Sequence, residues 1–432
     1  MKLRIAAIAA FLLIAASPSL ARAAGAVPVV TRSGGVTLIT QQDAAAPLLH
    51  VVYVVRAGLN RQSLAQNGLA ALTAQTIIAT PVNGVPLSDA IAAAGGSISF
   101  TVDPGDVRFE VEALPDDADK VLALARTGLS APAFDAVTVR AARGKLIARI
   151  AENQQVALQV GLDMLSSTVA SSANAGLPQF GQPAALEQLG PDDVKSFYAT
   201  YYLRGGSYVS AAGRIDALPA GTLAAFGQTL PDGNTTAINV KLPKLNGASR
   251  QLVAERDISA PWLIAQYPAP LVGSKDFGPM LVLASFMQRT LADMADVPGV
   301  VSETYASRAV GAVYQYENAQ PDLVLYVNGG IGNPNRSFST ALSIASILAT
   351  TKLEGSIDEF KAMASGDFIS STNSLEERAW LAVIYDENGQ QPDYLARTLD
   401  AISQTSAADL QRVAREYLSN PTIALVLPRE DS

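Results

Sequence analysis

Hydrophobic and polar residues alternate with a period of two in several short runs of the chain, and recur at helical spacing in the longer segments between them. The alternating runs are rich in β-branched residues and are bounded by Gly, Pro, Asn or Asp, which is typical of strands joined by tight turns. They predict strands at 36–39, 50–55, 97–102, 107–111, 208–213 and 423–427. The helical spacing predicts helices at 68–80, 87–94, 118–129, 134–165 and 191–202. Strands interleaved with helices in this order predict an α+β fold built on antiparallel sheet.

One sequence pattern occurs twice, with an offset that matches about half of the chain without its leader. An Asp and an apolar residue begin it, a second apolar residue follows three positions later, and a Tyr four positions after that precedes a strand. The pattern starts at Asp193 and again at Asp409, which are 216 positions apart. An unrelated amphipathic helix that begins with Asp and leads into a strand would look the same. The preferred interpretation is two homologous halves, each an antiparallel sheet packed with helices.

Two segments divide the chain into predicted domains. Residues 1–23 combine Lys2 and Arg4, an apolar run at 5–16 and the small-x-small site Ala21-Arg22-Ala23, as a cleaved secretory signal peptide does. An uncleaved anchor is the alternative, but the apolar run is shorter than the ~20 residues of a spanning helix. Residues 228–249 are rich in Pro, Gly and Asn and predict a linker between domains at 24–227 and 250–432. The mature protein is therefore expected in the periplasm or outside the cell.

The composition excludes several classes of site. The 432 residues include no Cys and one His, so disulfides, thiolate metal sites and most histidine-based active sites are ruled out. Hydrophobic residues make up 49% and charged residues 16% of the chain, which is typical of a globular protein. The net charge of −8, without a basic block, disfavours nucleic-acid binding.

Several short stretches, in a fixed order, resemble the pitrilysin/insulinase family of zinc metallopeptidases. The family's first half has a strand ending in A-G-S, then G-L-A-H-L-L-E-H, then a helix ending in G-G before the strand that lines its cleft. The corresponding stretches here are VVYVVRAG at 51–58, NGLAALTAQ at 67–75 and AAAGGSISF at 92–100. The resemblance covers nearly all of 27–428 and implies the clamshell-like fold of these peptidases.

The resemblance fails at the catalytic positions. The family's H-x-x-E-H motif supplies two His ligands of Zn²⁺ and a Glu as general base, and these positions read Ala71, Ala74 and Gln75 here. The third ligand, a Glu on a later helix, aligns near Arg149, with Glu152 the nearest acid. We therefore expect no metal site and no catalytic residue in this chain, and no peptidase activity from the chain alone.

In split members of the family, one chain carries the zinc motif and its partner carries an Arg/Tyr pair that helps to hold the substrate. By resemblance, Arg289 or Arg308 with Tyr305 could substitute for this pair here, although the spacing differs. The alternative is a surface Arg and a core Tyr. These three residues are the candidate substrate-binding residues of the second half.

The strand predicted after Gly95-Gly96 is the other candidate for holding a substrate. Its residues Ser97, Ile98, Ser99 and Phe100 would pair with an extended peptide through backbone groups if the strand lies at a sheet edge. Such pairing needs no catalytic side chain, so it survives the loss of zinc.

Together, these features resemble a non-catalytic, substrate-holding subunit of a periplasmic zinc metallopeptidase. The expected partners are a zinc-bearing homologous chain and peptide substrates, with zinc in that partner and no cofactor in this chain. No membrane span is expected after the leader is removed. The alternative is a proteolytically inert scaffold or peptide-binding protein on the same fold, as the core subunits of respiratory complexes are.

Overall fold

The computed structural model describes residues 27–169, 174–235, 250–294, 310–317, 320–330, 334–350 and 357–429. The predicted leader lies outside these ranges, as does most of the predicted linker, of which only 228–235 are described.

The first half is built on a six-stranded sheet. Its strands are β1 (Val29–Ser33), β2 (Val36–Gln42), β3 (Leu49–Val55), β6 (Gly96–Val102), β7 (Val107–Ala113) and β8 (Ser207–Gly213), in the order β1-β2-β8-β3-β7-β6. A separate two-residue pairing joins β4 (Pro81–Val82) to β5 (Val85–Pro86). All neighbours in the large sheet are antiparallel except β2 and β8, which are parallel and which the antiparallel prediction did not include.

The second half contains a five-stranded sheet of the same design. Its strands are β9 (Arg250–Arg256), β10 (Trp262–Pro268), β11 (Val310–Gln315), β12 (Asp322–Asn328) and β13 (Thr422–Pro428), in the order β11-β12-β10-β13-β9. Read from its other edge, the first sheet has the order β6-β7-β3-β8-β2, and the five strands of the second sheet correspond to these one by one. The one parallel pair of the second sheet, β9 with β13, corresponds to the parallel pair β2 with β8 of the first. The α+β fold with two equivalent halves, predicted from the repeated pattern, is confirmed.

Helices cover these sheets. Those before the linker are α1 (Leu69–Ala79), α2 (Leu87–Ala93), α3 (Ala118–Ser130), α4 (Ala136–Asn153), α5 (Ala157–Val169), α6 (Pro183–Leu186), α7 (Pro191–Tyr201) and α8 (Thr222–Gly227). Those after it are α9 (Phe277–Met294), α10 (Pro334–Thr350), α11 (Ile357–Ser371), α12 (Leu375–Glu387), α13 (Tyr394–Gln404) and α14 (Ala407–Tyr417). None of the helices in the described ranges is both long and apolar enough to cross a bilayer.

One helix of each half packs on the sheet of the other half. Helix α12, from the second half, packs on β2, β3 and β8, where Val52 and Val54 join the hydrophobic core of the second half. This contact explains why β3 is buried on both faces and reads as a continuous apolar run.

The reciprocal contact is made by α5, which packs on β9, β10 and β13. At Gly161 the helix approaches Ile264 so closely that an added Cβ would lie 2.5 Å from its Cδ1 atom. Any side chain at position 161 would therefore force Ile264 to move.

One predicted helix is wrong in its extent. The helical spacing at 134–165 predicted a single helix, whereas the structure has α4 and α5 separated by a turn at 154–156. The turn contains neither Pro nor Gly, so the local sequence gives no sign of it. The chain bends there because α4 packs on α1 of the first half while α5 crosses to the second sheet.

Candidate functional site

The three positions that align with the zinc motif lie on α1, at the centre of the first half. Ala71 and Ala74 are fully buried and Gln75 is 6% exposed. Helix α1 packs against α4, α7 and β6, and ten of its eleven residues are buried, so it is apolar on all sides.

The start of α1 is fixed by a close backbone contact and by one side chain. Gly68 precedes the helix with φ +102°, and its Cα lies so close to Gly181 that a Cβ on Gly181 would be only 2.4 Å away. The amide oxygen of Gln62 accepts a hydrogen bond from the backbone N–H of Ala70 at 3.0 Å. The segment after α5 is therefore packed directly over the N-terminal end of α1.

A stacked cation takes the place where the resemblance aligns the third zinc ligand. The guanidinium of Arg149 lies 4.1 Å from the centre of the Phe180 ring, and Phe180 meets Phe100 of β6 edge-to-face at 6.5 Å between ring centres. Burial is the main cause that lowers the pKa of Arg149, and Glu152 partly offsets it. These three residues, Arg149, Phe180 and Phe100, are called the Arg149 stack below.

These residues do not fit a zinc ion. Zinc in proteins takes thiolate, imidazole or carboxylate ligands. The two alanines have no donor atom, Gln75 has only a neutral amide, and Arg149 carries a positive charge. Within the described ranges, no group of three or more His, Asp or Glu side chains is placed to hold a metal ion.

The second candidate region, residues Ser97, Ile98, Ser99 and Phe100, lies on the outermost strand of the first sheet. In the described part of the chain, β6 pairs with β7 on one side and with no strand on the other. Ile98 and Phe100 point into the core, while Ser97 and Ser99 are exposed on the opposite face. Strand β6 therefore lies at a sheet edge, as pairing with an extended peptide requires.

The hydrogen bonds at the two ends of β6 show which backbone groups face outward. The N–H of Leu114 donates to Gly95 at 3.2 Å, and the N–H of Asp103 donates to Asp106 at 2.8 Å. Antiparallel strands bond at every second residue, so the odd-numbered residues between 95 and 103 bond β7. The N–H and C=O groups of Ile98 and Phe100 therefore point to the open edge.

The candidate residues of the second half are placed only in part. Arg289 is exposed on α9, next to Gln288, whose side chain accepts a hydrogen bond from the N–H of Ala312 in β11 at 2.8 Å. Tyr305 and Arg308 lie outside the described residues. Their pairing with Arg289 therefore stays a prediction.

Sequence reasoning missed a buried ionic cluster between the halves. Arg56, directly after β3, donates to the carbonyl of Gly206 at 3.1 Å, contacts Asp106 at 3.3 Å and forms an ion pair with Glu387 at the end of α12. Burial, and next the charge of Glu387, raise the pKa of Asp106 to about 7, although Arg56 opposes this. Nothing in the local sequence connects Arg56 with a residue 331 positions away.

A second, half-buried carboxyl with a raised pKa lies at the other end of α12. Burial raises the pKa of Glu377 to about 9, and the neighbouring carboxyl of Glu317 adds to the effect through its charge and a hydrogen bond. Arg108 lowers the pKa of Glu377, and its guanidinium lies 4.1 Å from the centre of the Trp380 ring. Both clusters tie α12 to the first half, so they bear on stability.

Comparison with known proteins gives a match in structure but not in sequence. No protein-family model matches the chain, and no curated protein matches it either. The fold is similar to a protease from Helicobacter pylori, with a TM-score of 0.76 at 15% identity, over 93% of this chain and 99% of that one. It is similar to the peptidase M16 inactive domain from Pseudomonas fluorescens, with a TM-score of 0.76 at 13% identity, over 93% and 98%.

A third similar structure comes from an assembly of a different kind. A chain of complex III2 from Candida albicans with Inz-5 bound superposes with a TM-score of 0.72 at 14% identity, over 93% of this chain and 95% of that one. The three structures confirm the resemblance at the level of the fold. The chain has the fold of the M16-like peptidases throughout almost its whole length.

Proposed function

We propose that this chain is the non-catalytic, substrate-holding subunit of a zinc metallopeptidase and that it pairs with a separate zinc-bearing chain of the same fold. The observation that carries the proposal is a peptidase fold covering 93% of the chain in which every position of the zinc site is occupied by a residue that cannot serve there. Ala71, Ala74 and Gln75 are packed into the core, and Arg149 is stacked on Phe180. Zinc and catalysis therefore belong to the partner.

Two observations support a role in holding polypeptide. Within the described ranges, the outward backbone groups of Ile98 and Phe100 face no other strand, so they can pair with an extended peptide without catalytic side chains. One of the similar structures is described as an inactive M16 domain, so the fold does occur without activity. We place the assembly in the periplasm because of the leader at residues 1–23.

A second candidate is an inert scaffold or peptide-binding protein that takes no part in proteolysis. The similarity to a chain of complex III2 favours it, since that structure is an assembly of a different kind. The two candidates differ in the partner that each requires.

The test is co-expression of the chain with a protein from the same genome that carries H-x-x-E-H, beginning with any such neighbour in its operon. Each chain alone and the mixture are assayed for zinc per chain and for hydrolysis of a fluorogenic peptide. We expect a stable complex with zinc in the partner and hydrolysis that requires both chains and stops with a chelator. Stoichiometric zinc and chelator-sensitive hydrolysis by this chain alone would overturn the proposal. A stable assembly without activity would favour the scaffold.

A pair of variants tests the role of β6 within that complex. Ile98→Pro removes an outward N–H that an added strand needs, while Ile98→Ala removes the same buried side chain and keeps the N–H. We expect Ile98→Pro to raise KM for peptides well above the value for Ile98→Ala. Equal KM values in the two variants would show that peptides do not pair with this strand.

A further inference from the structure

The open edge of β6 lies beside the Arg149 stack. The side chain of Phe100 points to the face of the sheet where Phe180 meets it, and Phe180 in turn carries the guanidinium of Arg149. Phe100 and Phe180 are each about 5% exposed or less, whereas Arg149 is exposed to solvent. The Arg149 stack thus places an exposed positive charge, which a ligand can reach, next to the buried rings of Phe180 and of Phe100, which lies on the edge strand.

The N–H groups of the Arg149 guanidinium can donate hydrogen bonds to a ligand. In the described ranges it forms no hydrogen bond or ion pair, and its close contact is with the Phe180 ring. A guanidinium stacked on a ring uses one planar face, while its five N–H donors lie in the plane and stay available. Stacking also restricts the side chain, so less entropy is lost when a ligand binds.

The partial burial of Arg149 favours an anionic ligand. Partial burial acts against the charge of Arg149, and Glu152 is the acidic group that offsets it. A carboxylate that binds the N–H donors of the guanidinium in the two-pronged geometry would compensate for the lost hydration.

The register of β6 determines where such a carboxylate would come from. Because the N–H and C=O groups of Phe100 face the open edge, an added strand would place one residue directly opposite it. Residues directly opposite each other on neighbouring strands project their side chains from the same face of the sheet. The side chain opposite Phe100 would therefore project toward Phe180 and Arg149.

From this geometry we infer that Arg149 is a carboxylate-binding residue for an extended peptide paired with β6, in the register set by Phe100. The inference rests on the proposed substrate-holding function and narrows its substrate class to peptides with a carboxylate at that position. The carboxylate comes from an Asp or Glu side chain or from the C-terminus of the peptide. The positive charge of Arg149 thus selects the peptide, near the position where the resemblance aligns the third zinc ligand.

The test measures binding of fluorescein-labelled peptides to the chain without its leader, by fluorescence polarisation. The probes are nine-residue peptides of alternating Val and Thr with a central Glu, Gln or Lys, each made as the C-terminal acid and as the amide. Copies that are N-methylated at alternate residues cannot pair with a strand edge and report binding elsewhere. We expect the central Glu to bind about tenfold more tightly than Gln, the gain typical of a charge-assisted hydrogen-bonded pair.

Charge variants of α4 assign this preference to one residue. Arg149→Ala should remove the preference for Glu, and Arg149→Glu should reverse it in favour of Lys. Arg140 is the matched control because it is exposed on the same helix, nine residues away, which places it on the opposite side. Arg140→Ala and Arg140→Glu should bind like the wild type. Both Arg positions are exposed, and circular dichroism checks that the variants fold.

Each outcome of these measurements either supports or overturns the inference. A preference for Glu that depends on Arg149 and is present in the amide peptides identifies the side chain as the source, whereas a preference only for peptides ending in a free acid identifies the C-terminus. Equal binding of the Glu, Gln and Lys peptides, or a preference that survives Arg149→Ala, overturns the inference and leaves peptide holding intact. If no peptide binds, both the inference on Arg149 and the proposed holding of peptides by β6 are overturned. The complex with a zinc-bearing chain is measured separately.

Discussion

Asp193 and Asp409 occupy equivalent positions in the two halves of the chain and make the same hydrogen bond. Each is the third residue of its helix, and its carboxylate accepts a bond from the backbone N–H that precedes the helix, from Gly190 at 2.8 Å and from Ser406 at 3.1 Å. The repeated sequence pattern thus corresponds to a repeated cap that starts α7 and α14.

Removal of either cap should destabilise the protein to a similar extent. Asp193→Ala or Asp409→Ala leaves a backbone N–H without its side-chain acceptor at the start of a helix, and the expected loss is about 1 kcal/mol each. Urea unfolding measures it. Asp192→Ala, next to Asp193 in the first turn of α7, is the control and should change stability less. Equal losses at positions 192 and 193 would contradict the assigned role of the cap.

The ionic cluster around Arg56 predicts a large loss when its cation is removed. Arg56→Met keeps the length of the side chain but leaves the buried Asp106 and the partly exposed Glu387 without their partner, at an expected loss of about 3 kcal/mol. Chemical unfolding should show this as a lower midpoint. Arg214→Met breaks the exposed pair with Asp216 and should leave stability unchanged. An equally small effect of both variants would show that Arg56 does not hold the halves together.

Glu377 predicts a stability that falls as the pH rises. Its pKa is about 9 in the folded chain against 4.5 as the ordinary value, so the folded chain binds more protons between these pH values. Stability is therefore fully present below about pH 4.5 and is lost toward pH 9, by at most about 1.4 kcal/mol per pH unit for a single proton. Glu377→Gln, which stays neutral, should flatten this fall in urea midpoints measured from pH 5 to pH 9.

The control for that measurement is a matched Glu-to-Gln change on the surface. Glu255 is exposed on β9, and Glu255→Gln should follow the wild-type dependence on pH. The carboxyl of Glu317 and the guanidinium of Arg108 face Glu377 in both proteins, so their contributions are common to the comparison. A fall in stability that is equally steep in Glu377→Gln would assign the dependence to other groups.

The packing of α1 predicts that a zinc ligand cannot simply be restored. Ala71 is fully buried, so Ala71→His should overpack the core and lower stability by about 1–3 kcal/mol. Ala148→His, at an exposed position of α4, is the control and should have little effect. Differential scanning fluorimetry with and without zinc chloride makes the measurement. A melting temperature of Ala71→His that rises with zinc would contradict the expectation that Arg149 and the core exclude the ion.

Much of the fold could be predicted because its signals are local. Alternation of period two placed β6 and β7 almost to the residue, and the Asp-initiated helix that recurs after 216 positions predicted the equivalence of the halves. The absence of zinc ligands at the candidate site could be predicted for the same reason. Whether Ala71 or Ala74 offers a donor atom depends on the residue alone.

What only the tertiary structure decided is which distant residues meet. The turn between α4 and α5 follows from their different partners, because α4 packs on α1 and α5 packs on the second sheet. Arg56 meets Glu387 across 331 positions because α12 crosses to the first sheet. Arg149 was recognised in the sequence as a poor metal ligand, but its stack on Phe180 and Phe100 was not. Local spacing constrains neighbours along one helix or strand, whereas contacts between elements depend on how their apolar faces pack. The sequence by itself therefore determined most elements of the first half, the equivalence of the two halves and the loss of the zinc ligands. The packing of α12 across the halves determined the charge clusters at its ends, and packing within the first half determined the cationic site beside β6.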